Sequence, residues 1–477
     1  MLNPESMDLT QIAEAIRVRK FSSLEITQWS LNRLKTTGEK FNAVFRLYEE
    51  TAIDRAKDLD EKLSKGELVG PLHGVPLAHK DLIGIKGKEL HAGSLIRRGF
   101  IADETAWVMQ CLDQDGQVNL GSLHMAELAL SPTGFNIHYP QPRNPWNEDY
   151  VCGGSSSGSG IAVATRLVFG SLGSDTGGSI RHPSAMCGVT GLKPTQGLIS
   201  SRGVYPLSKS LDCVGPMAQS ARDCALILDT IVRFDEKDPL SVARPFSMKS
   251  NYSEILRTSK NDSLKGIKIG IPQEYYREDI DPEIAKALET SLEVLKGLGA
   301  KLEPTKVPDM PRLNAMMQKI MSSEAAFLHQ LALKETPELI AEQVRLRVEP
   351  GLSWSAIEYI EAIEKRISLR DEFIRIAFNG CDLIHIPTFV VQTPTIEYST
   401  TGTAAEVLVK VARLTHATRA INYLGLPAMS VPAGFTSVGL PIAMQLVGRP
   451  FDEITLLNVS DKYQGEVDWL SRLPSNI

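Results

Sequence analysis

The stretch 153-GGSSSGSGIAVATRLVFGSLGSDTGGSIRHP-183 carries two glycine- and serine-rich clusters separated by an apolar run. Glycine has no Cβ, so such clusters let backbone N–H groups come close to a ligand or to another chain segment. The run 166-RLVFGSLGS-174 reads as a buried strand that ends in a tight turn. Moving outward, 74-GVPLAH-79 and 117-QVNLGS-122 have the same character. Further strand-like text stands at 266-GIKIGIP-272, 383-LIHIP-387, 427-PAMSVP-432 and 440-LPIAMQLVG-448.

Helical patterns lie between these runs. Leu9, Ile12, Ala13 and Ile16 recur at helical spacing, and Ser22 or Ser23 is placed to cap a second helix. Residues 51–64 and 312–377 are also helical in pattern. In 284-IAKALETSLEVLKGLG-299, Ile284, Ala287, Leu288, Leu292, Leu295 and Leu298 form one stripe, and Gly299 marks its end. Strands that alternate with helices predict an α/β layer fold. The polar segment 232–265, with Pro239 and Pro245, reads as a surface connection, with strand text on both sides able to join one sheet.

A chain of 477 residues has room for one large core or two ordinary domains, and 43% hydrophobic with 23% charged residues is ordinary globular composition. The net charge of −6 and the lack of a long basic run argue against a dedicated nucleic-acid binder. The six cysteines show neither CxxC pairs nor zinc spacing, which points to a reducing cytoplasm. No secretory leader or membrane span is legible.

The serine-rich centre admits three readings: turns and tight packing, which two such clusters close together, each followed by an apolar run, weaken; a phosphate cradle; and a nucleophile with an oxyanion hole. It fails as a phosphate cradle, because no lysine follows either cluster as a P-loop requires. As a nucleophile elbow, 154-GSSSG-158 would select Ser156. However, the text before it is proline-rich and polar, and no later histidine is an obvious base. Ser179 is better placed. It follows Gly177-Gly178, so the N–H groups of Thr176 through Ser179 could converge as an oxyanion nest. A serine still needs a base. Lys80, after the apolar 74-GVPLAH-79, could serve if burial keeps its amine neutral.

Taken together, 70-GPLHGVPLAHKD-81, 153-GGSSSGS-159, 173-GSDTGGSIRHPSAMCGVTGLKPT-195 and 425-GLPAMSVPAGF-435 resemble the amidase signature family. The resemblance implies one large α/β domain over 1–477, with a mixed sheet surrounded by helices. Its parts are N-terminal helices at 1–65, a signature core at about 70–220, a helical region at about 280–378 over the site, and C-terminal strands and helices at 380–477. It also implies a Ser–Ser–Lys triad: Ser179 as acyl nucleophile, Ser155 in a cis peptide as proton relay, and Lys80 as base. Thr176, Gly177, Gly178 and Ser179 would supply the oxyanion hole, and Ser156, Asp175 and Arg181 would support the loop. No metal or cofactor is implied. The segment 121-GSLHMAELA-129 departs from the family pattern near the expected pocket, so His124 and Met125 are candidate pocket residues.

The resulting expectation is a stand-alone cytoplasmic amidase, a homodimer by family habit, whose partner is a small neutral amide and not a nucleic acid or membrane. The alternative is the glutaminase subunit of an aminoacyl-tRNA amidotransferase. That role requires an acidic residue for the glutamine amine, and in 386-IPTFVVQTPTIEYSTTG-402 the only one is Glu397. A third reading, a binding protein without catalysis, conflicts with the filled triad positions.

Overall fold

The computed structural model describes residues 3–243, 251–259, 263–469 and 471–475. Two sheets organise it. The smaller contains β1 (Val44–Leu47), β2 (Pro76–Lys80) and β3 (Val118–Leu123), in the order β1-β3-β2. β2 runs parallel to β3, and β1 antiparallel. The larger contains β4 (Gly170–Asp175), β5 (Thr190–Lys193), β6 (Cys213–Ala218), β7 (Lys268–Pro272), β8 (Lys301–Thr305), β9 (Leu383–Pro387), β10 (Ala428–Phe435) and β11 (Pro441–Val447). Its order is β4-β6-β5-β10-β11-β9-β7-β8, a mixed sheet as expected.

The central strands are buried on both faces, which is why their text is continuously apolar or small and does not alternate. Strands from both sides of 232–265 share the large sheet, so that segment divides no core. Part of it is the helix Tyr252–Thr258; residues 244–250 and 260–262 lie outside the described residues. The expected N-terminal helices are present, but β1 interrupts them, and β8 interrupts the region expected to be helical.

Local signals explain the helix starts. Ser22, not Ser23, caps Ser23–Arg33 in a reciprocal capping box with Glu25. Asp281 caps Pro282–Gly297, with Pro282 at its first position. Ile284, Leu288, Leu292 and Leu295 on that helix are buried, each worth about 1.5–3 kcal/mol of transfer free energy. Gly299, at φ +99°, takes the left-handed turn that ends it. Among the described residues, no helix is long and apolar enough to cross a membrane.

Candidate active site

Lys80 ends β2, which packs against β4 and the helix Ser157–Ala164. Its side chain is sealed from solvent, and Nζ lies 2.7 Å from Ser155 Oγ and 2.8 Å from Ser174 Oγ. Burial pulls the lysine down to about 7, against the opposing charges of Asp212 and Asp175. An unprotonated amine here can accept the Ser155 hydroxyl proton while donating to Ser174. Lys80 is therefore no surface ion pair with its neighbour Asp81, which is itself buried, bound by Arg46 and pushed up to about 6 by burial.

Ser155 follows a cis Gly154–Ser155 peptide and is fully buried. Ser156 braces the same loop: its N–H donates to the Ser179 carbonyl and its hydroxyl to the Ser174 carbonyl, each at 3.3 Å. GSSSG thus brings Ser155 to the lysine and ties Ser156 to the loop that carries Ser179.

That loop joins β4 to the helix Arg181–Cys187, and Asp175 organises it. The Asp175 carboxylate accepts from the N–H of Gly178 (2.7 Å) and Ile180 (3.1 Å), from Arg181 Nη2 (2.9 Å) and Nε (3.0 Å), and from Asn422 Nδ2 (2.9 Å). Burial alone would push this carboxyl up, but the Arg181 charge and hydrogen bonds hold it well below the usual range. Arg181 is wholly buried and also donates to Asn422 and Gln445, each at 2.5 Å.

The nest differs from expectation in one member. The Gly178 N–H is committed to Asp175, so the structure withdraws it as an oxyanion donor. Thr176, Gly177 and Ser179 line the cavity, and among the described residues their N–H groups carry no hydrogen bond. Gly178 is required for its backbone: φ is +129°, and a Cβ would stand 2.1 Å from His182 Nε2. Thr176 Oγ1 donates to Asp212 Oδ1 at 2.5 Å, which positions the loop from its other side.

Ser179 borders a small cavity of about 50 Å³. Among the described residues, no hydrogen bond joins Ser155 Oγ to Ser179 Oγ, so the second step of the relay is left open. Catalytic contacts of this kind commonly tighten only once substrate is bound.

The structure does not bring His124 or Met125 to this cavity. Both are fully buried, His124 against Phe45 and Met125 in the main core. No residue of 386–402, Glu397 included, lines it either. The walls come from Ala129–Pro132, Leu207, the helices Met310–Glu335 and Glu342–Val348, and the segment around Thr415 and Arg419. Sequence reading missed Arg347 and Arg419, two basic side chains in the wall of a pocket expected to take a small neutral amide. It also missed Ser174, Asp212 and Asn422. Ser174 adjoins the quoted DTGGS and could have been suspected; Asp212 lies 33 and Asn422 243 positions beyond Ser179, with no local motif. Larger hollows of about 470 and 560 Å³ contain none of these groups.

With this geometry, the comparisons with known proteins are specific. The sequence model of the Amidase family matches residues 25–457. The A subunit of a glutamyl-tRNA(Gln) amidotransferase from Methylococcus capsulatus is 36% identical, over 98% of this chain and 99% of its own. A solved structure described as a vestigial protein complex that reveals the evolutionary origins of an s-triazine catabolic enzyme is 30% identical, with a TM-score of 0.87 over 96% of this chain and 98% of that one. Native peptide amidase from Stenotrophomonas maltophilia is 26% identical, with a TM-score of 0.83 over 96% of both chains. These relatives fit the amidotransferase-subunit reading better than the stand-alone amidase. They also overturn the expected partners, a small amide alone with a homodimer and no nucleic acid. The Methylococcus protein is by name one subunit of an enzyme named for a tRNA, and the s-triazine relative was solved as a complex. Extended over nearly the whole chain, this match of sequence and fold establishes that the protein belongs to the amidase signature family of C–N amide hydrolases.

Proposed function

We propose that the chain is the amide-hydrolysing subunit of an amidotransferase-type assembly, working in the cytoplasm and cutting a carboxylic amide through Ser179, Ser155 and Lys80. The strongest support is the sealed contact of Lys80 Nζ with Ser155 Oγ, with Lys80 poised near 7 one loop away from a serine that borders a cavity. The names of the relatives support the companion subunits.

In this mechanism Ser179 Oγ attacks the amide carbon. Its proton passes to Ser155, whose own proton passes to Lys80. The carbonyl oxygen becomes an oxyanion, which the free N–H groups of Thr176, Gly177 and Ser179 are placed to receive. Lys80 returns the proton through Ser155 to the leaving nitrogen as the C–N bond breaks. Ammonia or an amine departs, and water repeats the cycle on the Ser179 ester.

The test has two arms. A fluorophosphonate probe should label Ser179 in the native protein and fail on Ser179→Ala. Tagged chain expressed in its own cells should bring down a companion subunit, with release of ammonia from an amide. An unlabelled Ser179 would defeat the mechanism. Recovery of the chain as a fully active lone monomer would defeat the assembly.

A further inference from the structure

The hollow of about 470 Å³ lies between the segments 90–104, 201–209 and 237–240, with Leu328 of the helix Met310–Glu335 at its side. Among the described residues, none lines both this hollow and the cavity at Ser179. Its floor is fixed backbone: the Tyr205 N–H donates to the Leu82 carbonyl at 2.8 Å, and Val204 pairs with Ile83 in an antiparallel bridge. The volume falls in the range of about 300–1,000 Å³ that small-molecule sites occupy.

Arg97 is the centre of this hollow. Its Cζ lies 3.8 Å from the centre of the Phe100 ring and 4.0 Å from that of Tyr205. Rings on both faces leave the guanidinium only its edge to offer, and that edge is the fork of N–H groups that a carboxylate takes in pairs. Nε donates to the Leu90 carbonyl at 3.3 Å, and the Tyr205 hydroxyl is a further neighbour. Among the described residues, no carboxylate pairs with Arg97, whereas the half-buried Arg46, Arg202 and Arg233 have Asp81, Asp235 and Asp115. Burial lowers Arg97, so the missing counter-ion has a cost. Lys209 and Lys237 also border the hollow, and among the described residues neither makes an ion pair. The acids there are mostly committed. Asp238 accepts from the Ser200 hydroxyl and from the N–H groups of Ser201 and Leu240, and Glu104 is held by Arg202. Asp103 is left against three unpaired cations. Exposed apolar surface of Phe100 and Leu240 stands beside these charges.

We propose that this hollow is a second binding site, for a small organic anion with a flat apolar body. The carboxylate takes the edge of Arg97, with Lys209 and Lys237 adding charge at the rim. The body covers Phe100, Leu240 and Leu328, removing their apolar surface from water. The site goes beyond the proposed function and does not rest on Ser179 being a nucleophile.

The experiment uses the full chain with whatever subunits co-purify. Three probes are titrated by calorimetry: 2-naphthoate, its uncharged relative 2-naphthalenemethanol, and inorganic phosphate. Naphthoate should bind about ten- to a hundredfold tighter than the alcohol, the scale of a charge-assisted hydrogen-bonded pair, and phosphate should displace it only weakly. Arg97→Met should bring naphthoate down to the level of the alcohol, and Arg97→Lys should keep part of the difference, as a charge without the fork. Lys209→Ala with Lys237→Ala, both at exposed positions, should weaken naphthoate severalfold and reduce its sensitivity to salt. Arg419→Met, which removes a cation of the catalytic cavity, should leave naphthoate binding as it is. If Arg97→Met fails to fold, the wild-type contrast and the double lysine variant decide the matter. Equal binding of naphthoate and the alcohol, or naphthoate binding lost with Arg419→Met and kept with Arg97→Met, overturns the site. Phosphate as tight as naphthoate overturns the apolar body, and with it the class of ligand.

Discussion

If Lys80 is the base, acylation should follow its titration. With the lysine at about 7, the neutral share is about 91% at pH 8 and about 3% at pH 5.5, so the rate should fall about thirtyfold over that interval. An ordinary lysine near 10.4 would be neutral at well under 1% throughout, and its rate would climb about tenfold per pH unit up to pH 9. The neighbouring acid modifies the limb. Asp212 sits at about 6, raised by burial, and its negative charge holds Lys80 up. As Asp212 protonates, the lysine loses that support and becomes easier to deprotonate. The acid limb should therefore flatten below pH 6, falling less than tenfold per unit. The assay is stopped-flow labelling of Ser179 by a fluorophosphonate across pH 5–10, because it reads nucleophile activation without deacylation or product release. A rate flat from pH 5.5 to 8, or one still rising tenfold per unit at pH 9, would refute the assignment of Lys80. The same shift bears on stability. The folded lysine binds fewer protons than the unfolded one between about 7 and 10.4, so this group alone makes the protein more stable as pH rises through that window.

Three substitutions test the remaining geometry. Lys80→Ala should slow acylation by orders of magnitude and remove the limb near pH 7; near-normal rates at neutral pH would mean another base. Arg181→Met should cost about 3–5 kcal/mol, because it strands the buried Asp175 carboxylate, and chemical denaturation would measure it; a loss below about 1 kcal/mol would show that Asn422 and the loop N–H groups suffice. Gly178→Ala should abolish labelling of Ser179, since the new methyl meets the His182 ring and φ is +129°; retained labelling would show that the loop can shift without losing its chemistry.

The sequence exposed the reacting groups better than the pocket, for a physical reason. A nucleophile in a backbone nest must sit in a run of glycines, and a neutral lysine must follow an apolar strand, so both leave local marks around Ser179 and Lys80. The strands β2, β4 and β9 are legible for a related reason, since strands buried on both faces are built largely of apolar or small residues. Arg347 and Arg419 lie 168 and 240 positions beyond Ser179 in helical text whose local period says nothing about the cavity they enter. His124 misled because a polar residue at a departure from the family pattern resembles a specificity residue; in the fold its ring is a buried packing partner of Phe45. The commitment of the Gly178 N–H to Asp175 was equally invisible, because the residues fix the turn but not which donor the carboxylate takes.

The order of strands in the large sheet also bears on when this site can exist. β5 pairs with β10, some 235 residues later, and Arg181 reaches Asn422 and Gln445. A growing chain that has just completed the signature core has a sheet with an unmatched edge and a nucleophile loop without its far anchors. Such long-range pairing is slow, and until it closes the edge is available to other chains. The enzyme therefore cannot switch on piecemeal during synthesis. Its serine becomes a nucleophile only after nearly the last strand is in place, so premature termination products should be inert and prone to aggregation rather than weakly active.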